Sequence, residues 1–187
     1  MVERPIFDEV VSGVAEHAKK IRLGPGLSPD TEMGPLVSEE QLSRVTNYLH
    51  QGKQEGACYV TGGTRVGQRG YFVQPTVIKD VKPDMSIVQE EIFGPVVTAE
   101  PFTKPEELIP RANQTQYGLA AGVWTRDIAK AHRIAAELRA GTVWINCYNV
   151  FDAALPFGGY KQSGWGREMG HEALELYTQT KAVVVGL

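Results

Sequence analysis

The chain has few of the residues that build metal centres and disulfide frameworks. Among its 187 residues are two cysteines, Cys58 and Cys147, and four histidines that lie far apart in the sequence. These residues show no spacing typical of a zinc site, so we expect no metal. Two cysteines make no disulfide framework, which is typical of a reducing compartment, and we therefore expect a cytoplasmic protein.

The chain also lacks an excess of basic charge and any long apolar run. Its formal net charge is −3, and the Lys and Arg residues are scattered, which argues against a nucleic-acid surface. No apolar run approaches the roughly 18 residues of a membrane span, and the first residues form no apolar signal region. We therefore expect neither a nucleic acid nor a membrane as a partner.

A glycine-rich stretch at residues 62–70 lacks the features of a phosphate-binding loop. It has no Gly-Lys-Ser/Thr ending and does not open a helix. We expect a surface hairpin turn there.

Two helices are predicted in the first third of the chain. Pro5 suits a first helical turn, and apolar residues at helical spacing extend the first helix to Ile21. A capping-box pattern begins the second helix at Ser38. The apolar residues of the first helix are Ile6, Val10, Val14, Ala18 and Ile21, and the predicted buried stripe of the second is Leu42, Val45 and Leu49.

Strands and helices alternate in the second half. Helices are predicted at 105–113 and 127–140, and strands at 118–125 and 142–147. This alternation predicts an α/β fold with a mostly parallel sheet covered by helices. Ligands of such sheets sit beyond the carboxyl ends of the strands, so we expect a pocket after residues 142–146.

The stretch 86–97 carries two carboxylates, an aromatic residue and a Gly-Pro bend. Gly94 frees the backbone and Pro95 fixes φ, so a sharp turn is predicted. In an extended segment Glu91 and Phe93 point to the same side, and we expect both at the cleft along the carboxyl edge of the sheet. There the carboxylate can accept two ribose hydroxyls. The alternative is a Glu at a turn beside a core Phe.

Residues 90–95, Glu-Glu-Ile-Phe-Gly-Pro, resemble a motif of the aldehyde dehydrogenase superfamily. The resemblance extends over nearly the whole chain and is greatest to NAD-dependent members of the betaine-aldehyde and phenylacetaldehyde type. It implies that the chain corresponds to the C-terminal part of such an enzyme, truncated at its N-terminus. The other stretches that resemble the family, in the same order, are residues 34–37, 71–76, 117–121, 141–146 and 156–164.

The resemblance assigns four residues to the cofactor, NAD or NADP. Glu91 and Phe93 would position the nicotinamide ribose. Gln41 and Arg44 would face the ribose and adenosine side. For Gln41 a role in capping its helix is an equal alternative, and many family members carry a lysine where Arg44 stands.

Three further residues receive roles from the resemblance. Phe151 and Phe157 would line the tunnel that admits the aldehyde, the alternative being a small hydrophobic cluster under a loop. Glu168, which the sequence alone places at the start of a helix running to about Tyr177, would handle a proton or water near the site. Its alternative role is to complement the helix dipole.

The resemblance also implies a division of the chain and an oligomer. Residues 1–165 would be an incomplete catalytic domain, and residues 166–187 a C-terminal helix and an oligomerisation strand. Residues 181–187 are apolar and β-prone, and an exposed edge strand is a liability unless it is paired. In the family this strand joins a sheet between subunits, so we expect a homodimer or homotetramer.

The family's chemistry requires groups that this chain does not contain. A thiolate attacks the aldehyde to form a thiohemiacetal, hydride passes to the nicotinamide, and water hydrolyses the thioester. The resemblance implies that the nucleophilic Cys, the general-base Glu and the dinucleotide-binding domain lie upstream. No Gly-Gln-x-Cys segment is present, so we expect an inactive fragment of an aldehyde dehydrogenase.

Two other functions are alternatives to that interpretation. One is a non-catalytic binding or assembly module derived from the same fold. The other is a hydrolase built on Cys147, which follows a buried strand with no helix N-terminus to lower its pKa.

Overall fold

The computed structural model describes residues 1–187, and the chain divides into two units, residues 1–108 and 109–187. The division falls at a different place from the domain boundary expected between residues 165 and 166, which stays a prediction. None of the helices combines the length and apolar character that crossing a membrane requires.

The first unit contains three helices and five short strands. A 3₁₀ turn at Arg4–Ile6 leads into the first helix. The helices are α1 (Phe7–Lys20), α2 (Glu39–Gln54) and α3 (Ser86–Gln89), and the strands are β1 (Val2–Glu3), β2 (Cys58–Thr61), β3 (Thr76–Lys79), β4 (Val96–Thr98) and β5 (Pro101–Phe102).

Helix α1 forms where it was predicted, but it buries a different face. Its apolar residues fall into two adjacent stripes, both at helical spacing, so periodicity alone did not decide between them. The stripe that begins with Phe7 packs against Val77 of β3. An aromatic ring removes more apolar area from water than the aliphatic side chain of Ile6, which begins the other stripe. The buried residues are Phe7, Val11, Ala15 and Ala18, whereas Ile6, Val10 and Val14 are exposed.

Helix α2 follows the sequence prediction closely. The Ser38 hydroxyl oxygen accepts a hydrogen bond from the Gln41 backbone N–H at 3.1 Å, which satisfies one free donor of the first turn. The chain leaves the helix at Gly56, whose φ is +91°. The predicted buried stripe is confirmed, and it packs with Ile78, Met85, Ile87 and Ile92.

The strands of the first unit belong to two small sheets. β3 lies in the middle of a three-stranded sheet, antiparallel to β2 and parallel to β4, and β1 pairs with β5 in parallel. The predicted hairpin at residues 62–70 is confirmed, since Arg65 and Val73 form an antiparallel bridge. This hairpin returns the chain beside β2, and so makes part of the sheet antiparallel.

The second unit is built around one strand–helix–strand unit. Helix α4 (Pro105–Ala112) spans the point where the two units divide. The further elements are β6 (Tyr117–Gly118), β7 (Ala120–Val123), α5 (Ile128–Glu137), β8 (Thr142–Ile145), β9 (Tyr160–Lys161) and a 3₁₀ helix at His171–Tyr177. β7 and β8 pair in parallel, as the alternation predicted, and β6 and β9 pair antiparallel.

The expected α/β content is present, but a single mostly parallel sheet is not formed. The five pairings, three of them parallel, are divided among four sheets of two or three strands. Alternating hydrophobicity identifies strands but does not specify their partners, and these strands are too short for the pattern to decide.

Helix α5 ends three residues earlier than predicted. Asp127 caps its first turn through a 2.9 Å hydrogen bond from the Lys130 N–H. At its other end the Asn113 side chain donates to the Glu137 carbonyl oxygen at 2.9 Å and accepts from the Arg139 N–H at 2.7 Å. This amide satisfies polar backbone groups at the end of the helix.

The loop region of residues 158–168 is held at several points. Lys161 donates from Nζ to the carbonyl oxygens of Asn113 and Thr115, each at 2.9 Å. A Cβ on Gly141 would collide with the Gly158 carbonyl oxygen, so two backbone segments meet there at a distance that only glycine permits.

The C-terminal helix prediction needs a correction, and the strand expected to pair between subunits stays a prediction. The helix expected to begin at Glu168 begins at His171, after Gly170 with a φ of +63°, and it is a 3₁₀ helix. Residues 181–187 form no strand in the single chain, and Val184 is 93% exposed. A strand needs a partner for its backbone groups, and none lies beside this segment in one chain.

Candidate functional site

The segment 90–95 is held against one face of α2 by side-chain hydrogen bonds. Gln41 donates from Nε2 to the carbonyl oxygens of Ile92 at 3.1 Å and Phe93 at 2.8 Å. Arg44 donates from Nη2 to the Glu91 carbonyl oxygen at 3.1 Å. Both residues were expected to face a cofactor, and the structure places their donor groups on the backbone of the segment that carries Glu91 and Phe93.

A third residue of α2, Tyr48, binds the first carboxylate of the segment. Its hydroxyl donates to Glu90 Oε2 at 2.6 Å, and the Arg44 guanidinium lies 5.9 Å from the centre of its ring. The hydrogen bond to Glu90 raises the pKa of Tyr48, and burial adds to the rise. Sequence reasoning missed Tyr48. The signal was available, because residues 41, 44 and 48 share one helix face.

The two carboxylates of the segment differ in what they do. Glu90 is exposed and accepts from Tyr48, whereas Glu91 is half-buried and its carboxylate makes no hydrogen bond or ion pair within the chain. Glu91 is therefore the acceptor that this segment offers to a hydroxylated ligand.

Phe93 points into solvent and has an unusual backbone conformation. Its φ is +55°, in the left-handed region, and 71% of the residue is exposed, while Ile92 is buried. The alternative of a core Phe is thereby excluded. A non-glycine residue in this region costs on the order of 1–3 kcal/mol when it is held there.

Gly94 serves a different purpose from the one expected. Its φ is not positive, so the freedom predicted for it is used by Phe93 instead. A Cβ at Gly94 would lie 2.7 Å and 2.9 Å from the two methyl groups of Val45. The glycine is required because the segment passes so close to α2.

The segment lies at the amino ends of β3 and β4. The Thr76 N–H, at the start of β3, donates to the Pro95 carbonyl oxygen at 2.8 Å, and β4 begins at the next residue, Val96. The expected position at the carboxyl edge of a sheet is therefore wrong. The Gly-Pro bend leads into the strand, so the residues before it must precede the sheet.

In the second unit, the segment after β8 forms an aromatic cluster. Phe151 and Phe157 make an edge-to-face contact with ring centres 5.3 Å apart. The ring centre of Trp144 lies 5.6 Å from that of Phe151 and 4.9 Å from that of Tyr148. The Nε1–H of Trp144 also donates to the Val150 carbonyl oxygen at 2.8 Å. The expected aromatic pair is thus brought together, and Trp144 and Tyr148 are the contributors that the sequence did not reveal.

A cavity of about 290 Å³ adjoins one ring of this cluster. Phe157 forms part of its wall, together with Trp165, and Arg167 is fixed there by donating from Nη1 to the Gly159 carbonyl oxygen at 3.0 Å. Glu168 also lines the cavity, and its backbone pairs with Phe157 through two hydrogen bonds of 2.7 Å. Its position comes from this pairing and not from a helix start.

Neither cysteine belongs to a group of side chains that could bind a metal ion. Cys58 is exposed in β2, and Cys147 is half-buried just after β8. No group of three or more His, Cys, Asp or Glu side chains in the chain could hold a metal ion.

The match to a family model defines the class of protein, a family of oxidoreductases. The chain belongs to the aldehyde dehydrogenase family, whose family model matches residues 1–183. The resemblance stated from the sequence is therefore confirmed at the level of the family.

Individual relatives are similar over almost the entire chain. The protein DhaS of Bacillus subtilis is 56% identical over 186 residues, which are 100% of this chain and 38% of that protein. The betaine aldehyde dehydrogenase of Mesorhizobium japonicum is 50% identical over 188 residues, 98% of this chain and 39% of that protein. The chain thus spans less than two fifths of the length of these relatives.

A solved structure agrees with the fold throughout. The aldehyde dehydrogenase of Bacillus cereus, determined as its NAD⁺ complex, is 55% identical and superimposes with a TM-score of 0.96. The match covers 100% of this chain and 38% of the other.

Proposed function

We propose that the chain is part of an aldehyde dehydrogenase that oxidises an aldehyde to a carboxylic acid with NAD or NADP through a cysteine thiohemiacetal. Its family, and the NAD⁺ complex of the Bacillus cereus relative, support this. The observation that carries the proposal is the segment 90–95, which offers an unpaired carboxylate two residues before an exposed ring.

The segment fits the ribose of a dinucleotide. The Glu91 carboxylate can accept hydrogen bonds from two vicinal hydroxyls, and the exposed ring of Phe93 supplies an apolar surface beside them. The cofactor itself supplies the hydride acceptor. In this proposal the role of the chain is to bind and orient the ribose, and Gln41 and Arg44 support the segment that does so.

The second unit carries the proposed substrate side. Phe151 and Phe157 shape the entrance for the aldehyde, and Trp144 fixes the first of these rings by an edge contact. Large apolar walls with few polar groups are typical of sites for small molecules. Glu168, which lines the adjoining cavity, is the proposed proton- or water-handling group.

We also propose that these motifs correspond to the C-terminal part of the enzyme. In the resemblance, stretches 90–95 and 156–164 follow the nucleophile, and neither Cys58 nor Cys147 lies in a Gly-Gln-x-Cys segment. The coding frame decides this. A Gly-Gln-x-Cys segment encoded upstream of the Met1 codon supports the proposal, and such a segment encoded downstream of the Leu187 codon contradicts it.

The isolated chain is proposed to be inactive and to bind NAD weakly. Steady production of NADH from an aldehyde by the purified chain would contradict the first point. A non-catalytic binding or assembly module is the second candidate, favoured by the exposed valines of residues 183–185. If the chain is such a module, its coding frame contains no Gly-Gln-x-Cys segment.

The proposed assembly is a homodimer or homotetramer that pairs through residues 181–187, in the cytoplasm. The apolar side chains of this segment are exposed in the single chain, and pairing would cover them. Deleting residues 181–187 should lower the mass in solution, measured by light scattering, and an unchanged mass would contradict the pairing.

A titration with NAD tests the cofactor role. We expect Glu91→Gln to weaken NAD binding about tenfold, which is about 1.4 kcal/mol, because a charged acceptor of ribose hydroxyls becomes neutral. Binding is followed by the amide shifts of residues 90–94 in NMR spectra. Glu106→Gln, an exposed carboxylate on α4, is the matched control and should bind like the unmodified chain. Equal affinities of all three chains would contradict the role.

A further inference from the structure

The polar face of α2 contacts each residue of the segment 90–93 in turn. Tyr48 binds the Glu90 carboxylate, Arg44 binds the Glu91 carbonyl, and Gln41 binds the next two carbonyls. An adjacent face of the helix, formed by Leu42, Val45 and Leu49, is buried in the core. The helix is therefore a fixed support, and the segment takes its position from it.

Ile92 anchors the segment in the core, but this packing does not reach the ring of Phe93. Phe93 combines a left-handed φ of +55° with a ring that is 71% exposed. An exposed ring gains little from burial to offset the backbone cost, so the offset must come from hydrogen bonds to the neighbouring residues.

Among these contacts, only the hydrogen bond of Tyr48 joins two side chains, those of Tyr48 and Glu90. Gln41 and Arg44 bind carbonyl oxygens, which any residue at positions 91–93 would provide. The Tyr48 hydroxyl instead selects the carboxylate of Glu90, at 2.6 Å. This bond engages one of two adjacent, chemically identical carboxylates and leaves the other, Glu91, without a partner.

We infer that Tyr48 is a positioning residue for the NAD-binding segment: by holding the Glu90 carboxylate it fixes Phe93 and keeps Glu91 available for the ribose hydroxyls. This inference rests on the proposed function of the segment. Without the bond, the exposed Glu90 is free to compete with Glu91 for hydroxyls, and the left-handed turn at Phe93 loses one of its supports.

A matched control lies close to the same helix. Tyr59 donates from its hydroxyl to the Leu49 carbonyl oxygen, also at 2.6 Å, and makes no hydrogen bond to residues 90–93. Tyr59→Phe therefore removes a hydroxyl bond of equal length from α2 while leaving the segment alone. Any general effect of such a loss on α2 appears in this variant.

The experiment compares Tyr48→Phe with Tyr59→Phe in the full 187-residue chain. NMR reports the backbone coupling and ring shifts of Phe93, NAD titration reports affinity, and thermal melting reports stability. For Tyr48→Phe we expect averaged Phe93 signals and NAD affinity lower by about threefold to tenfold. For Tyr59→Phe we expect a lower melting temperature with unchanged Phe93 signals and unchanged affinity.

Variants of Glu90 complete the test. Glu90→Gln keeps an oxygen acceptor for the Tyr48 hydroxyl, so it should retain the Phe93 signals of the unmodified chain. Glu90→Ala should reproduce Tyr48→Phe, and the double variant should lose no more than either single variant.

Three outcomes would overturn the inference or separate it from the proposed function. Unchanged Phe93 signals in Tyr48→Phe overturn it, as does an NAD affinity equal to that of the unmodified chain. If the unmodified chain shows no NAD-induced shifts at all, the proposed function of the segment fails. The Phe93 signals of Tyr48→Phe then still decide whether Tyr48 fixes the turn.

Discussion

The two candidate regions are held in place by different forces. The segment 90–95 is held by polar side chains of α2 that bind its backbone, and its own aromatic ring is left exposed. The segment after β8 is held by its rings, since Phe151 and Phe157 contact each other and Trp144. Hydrogen bonds are directional and fix one conformation, whereas packing tolerates substitutions of similar volume.

This difference predicts which substitutions each region tolerates. A polar change on α2 should alter the conformation of the first region at little cost in stability, because its contacts are partly exposed. A change in volume in the second unit should cost stability before it changes any binding property. Three substitutions test this, in order of decreasing effect.

Gly141→Ala should have the largest effect. The added Cβ would collide with the Gly158 carbonyl oxygen, which cannot move without displacing β9, the strand that pairs with β6. We expect a loss of about 3 kcal/mol or more in the free energy of unfolding, measured with urea. Gly13→Ala is the control, because Gly13 lies in α1 with open space around it, and alanine there should stabilise by about 0.5–1 kcal/mol. A small change in the free energy of unfolding of Gly141→Ala would show that β9 is not anchored at this contact.

Trp144→Phe should have an intermediate effect. The substitution keeps an aromatic ring near Phe151 but removes the N–H that donates to Val150, and it leaves unfilled volume. We expect a loss of about 1–2 kcal/mol in the free energy of unfolding. Trp165→Phe, at a residue 94% exposed, should stay within about 0.5 kcal/mol of the unmodified chain. Equal effects of the two variants would mean that the aromatic cluster does not order the segment.

Phe93→Gly should have the smallest effect, and it should be stabilising. Glycine adopts a φ of +55° freely, and the lost ring is mostly exposed, so we expect a gain of about 1 kcal/mol after the entropy of the unfolded glycine is subtracted. Asn149→Gly is the matched control, because Asn149 also has a φ of 55° and asparagine tolerates it, so its gain should be under about 0.5 kcal/mol. Thermal melting decides, and a destabilised Phe93→Gly would show that the ring packs better than its exposure indicates.

Local patterns predicted the supports of the first region better than its conformation. The capping box at Ser38 and the buried stripe of α2 follow from spacing along one helix, and both are confirmed. The left-handed turn at Phe93 depends on Gln41, which is 52 residues away in sequence. No local rule connects two such positions, so the sequence predicted an extended segment there.

Other differences have equally specific physical causes. Helix α1 offers two apolar stripes, and the choice between Val11 and Val10 depends on what packs against the helix. The end of α5 is set by the amide of Asn113, which precedes β6 and β7 in the sequence. The predicted strand at residues 181–187 needs hydrogen-bond partners that one chain does not supply.

Glu91 and Phe93 are proposed to receive the ribose of NAD. The most direct measurement is a transferred nuclear Overhauser experiment between NAD protons and the aromatic ring protons of Phe93 in the full chain. We expect transfer between the nicotinamide ribose protons and this ring, and we expect this transfer to be lost in Glu91→Gln. Transfer to other rings alone, or transfer that persists unchanged in Glu91→Gln, would contradict it.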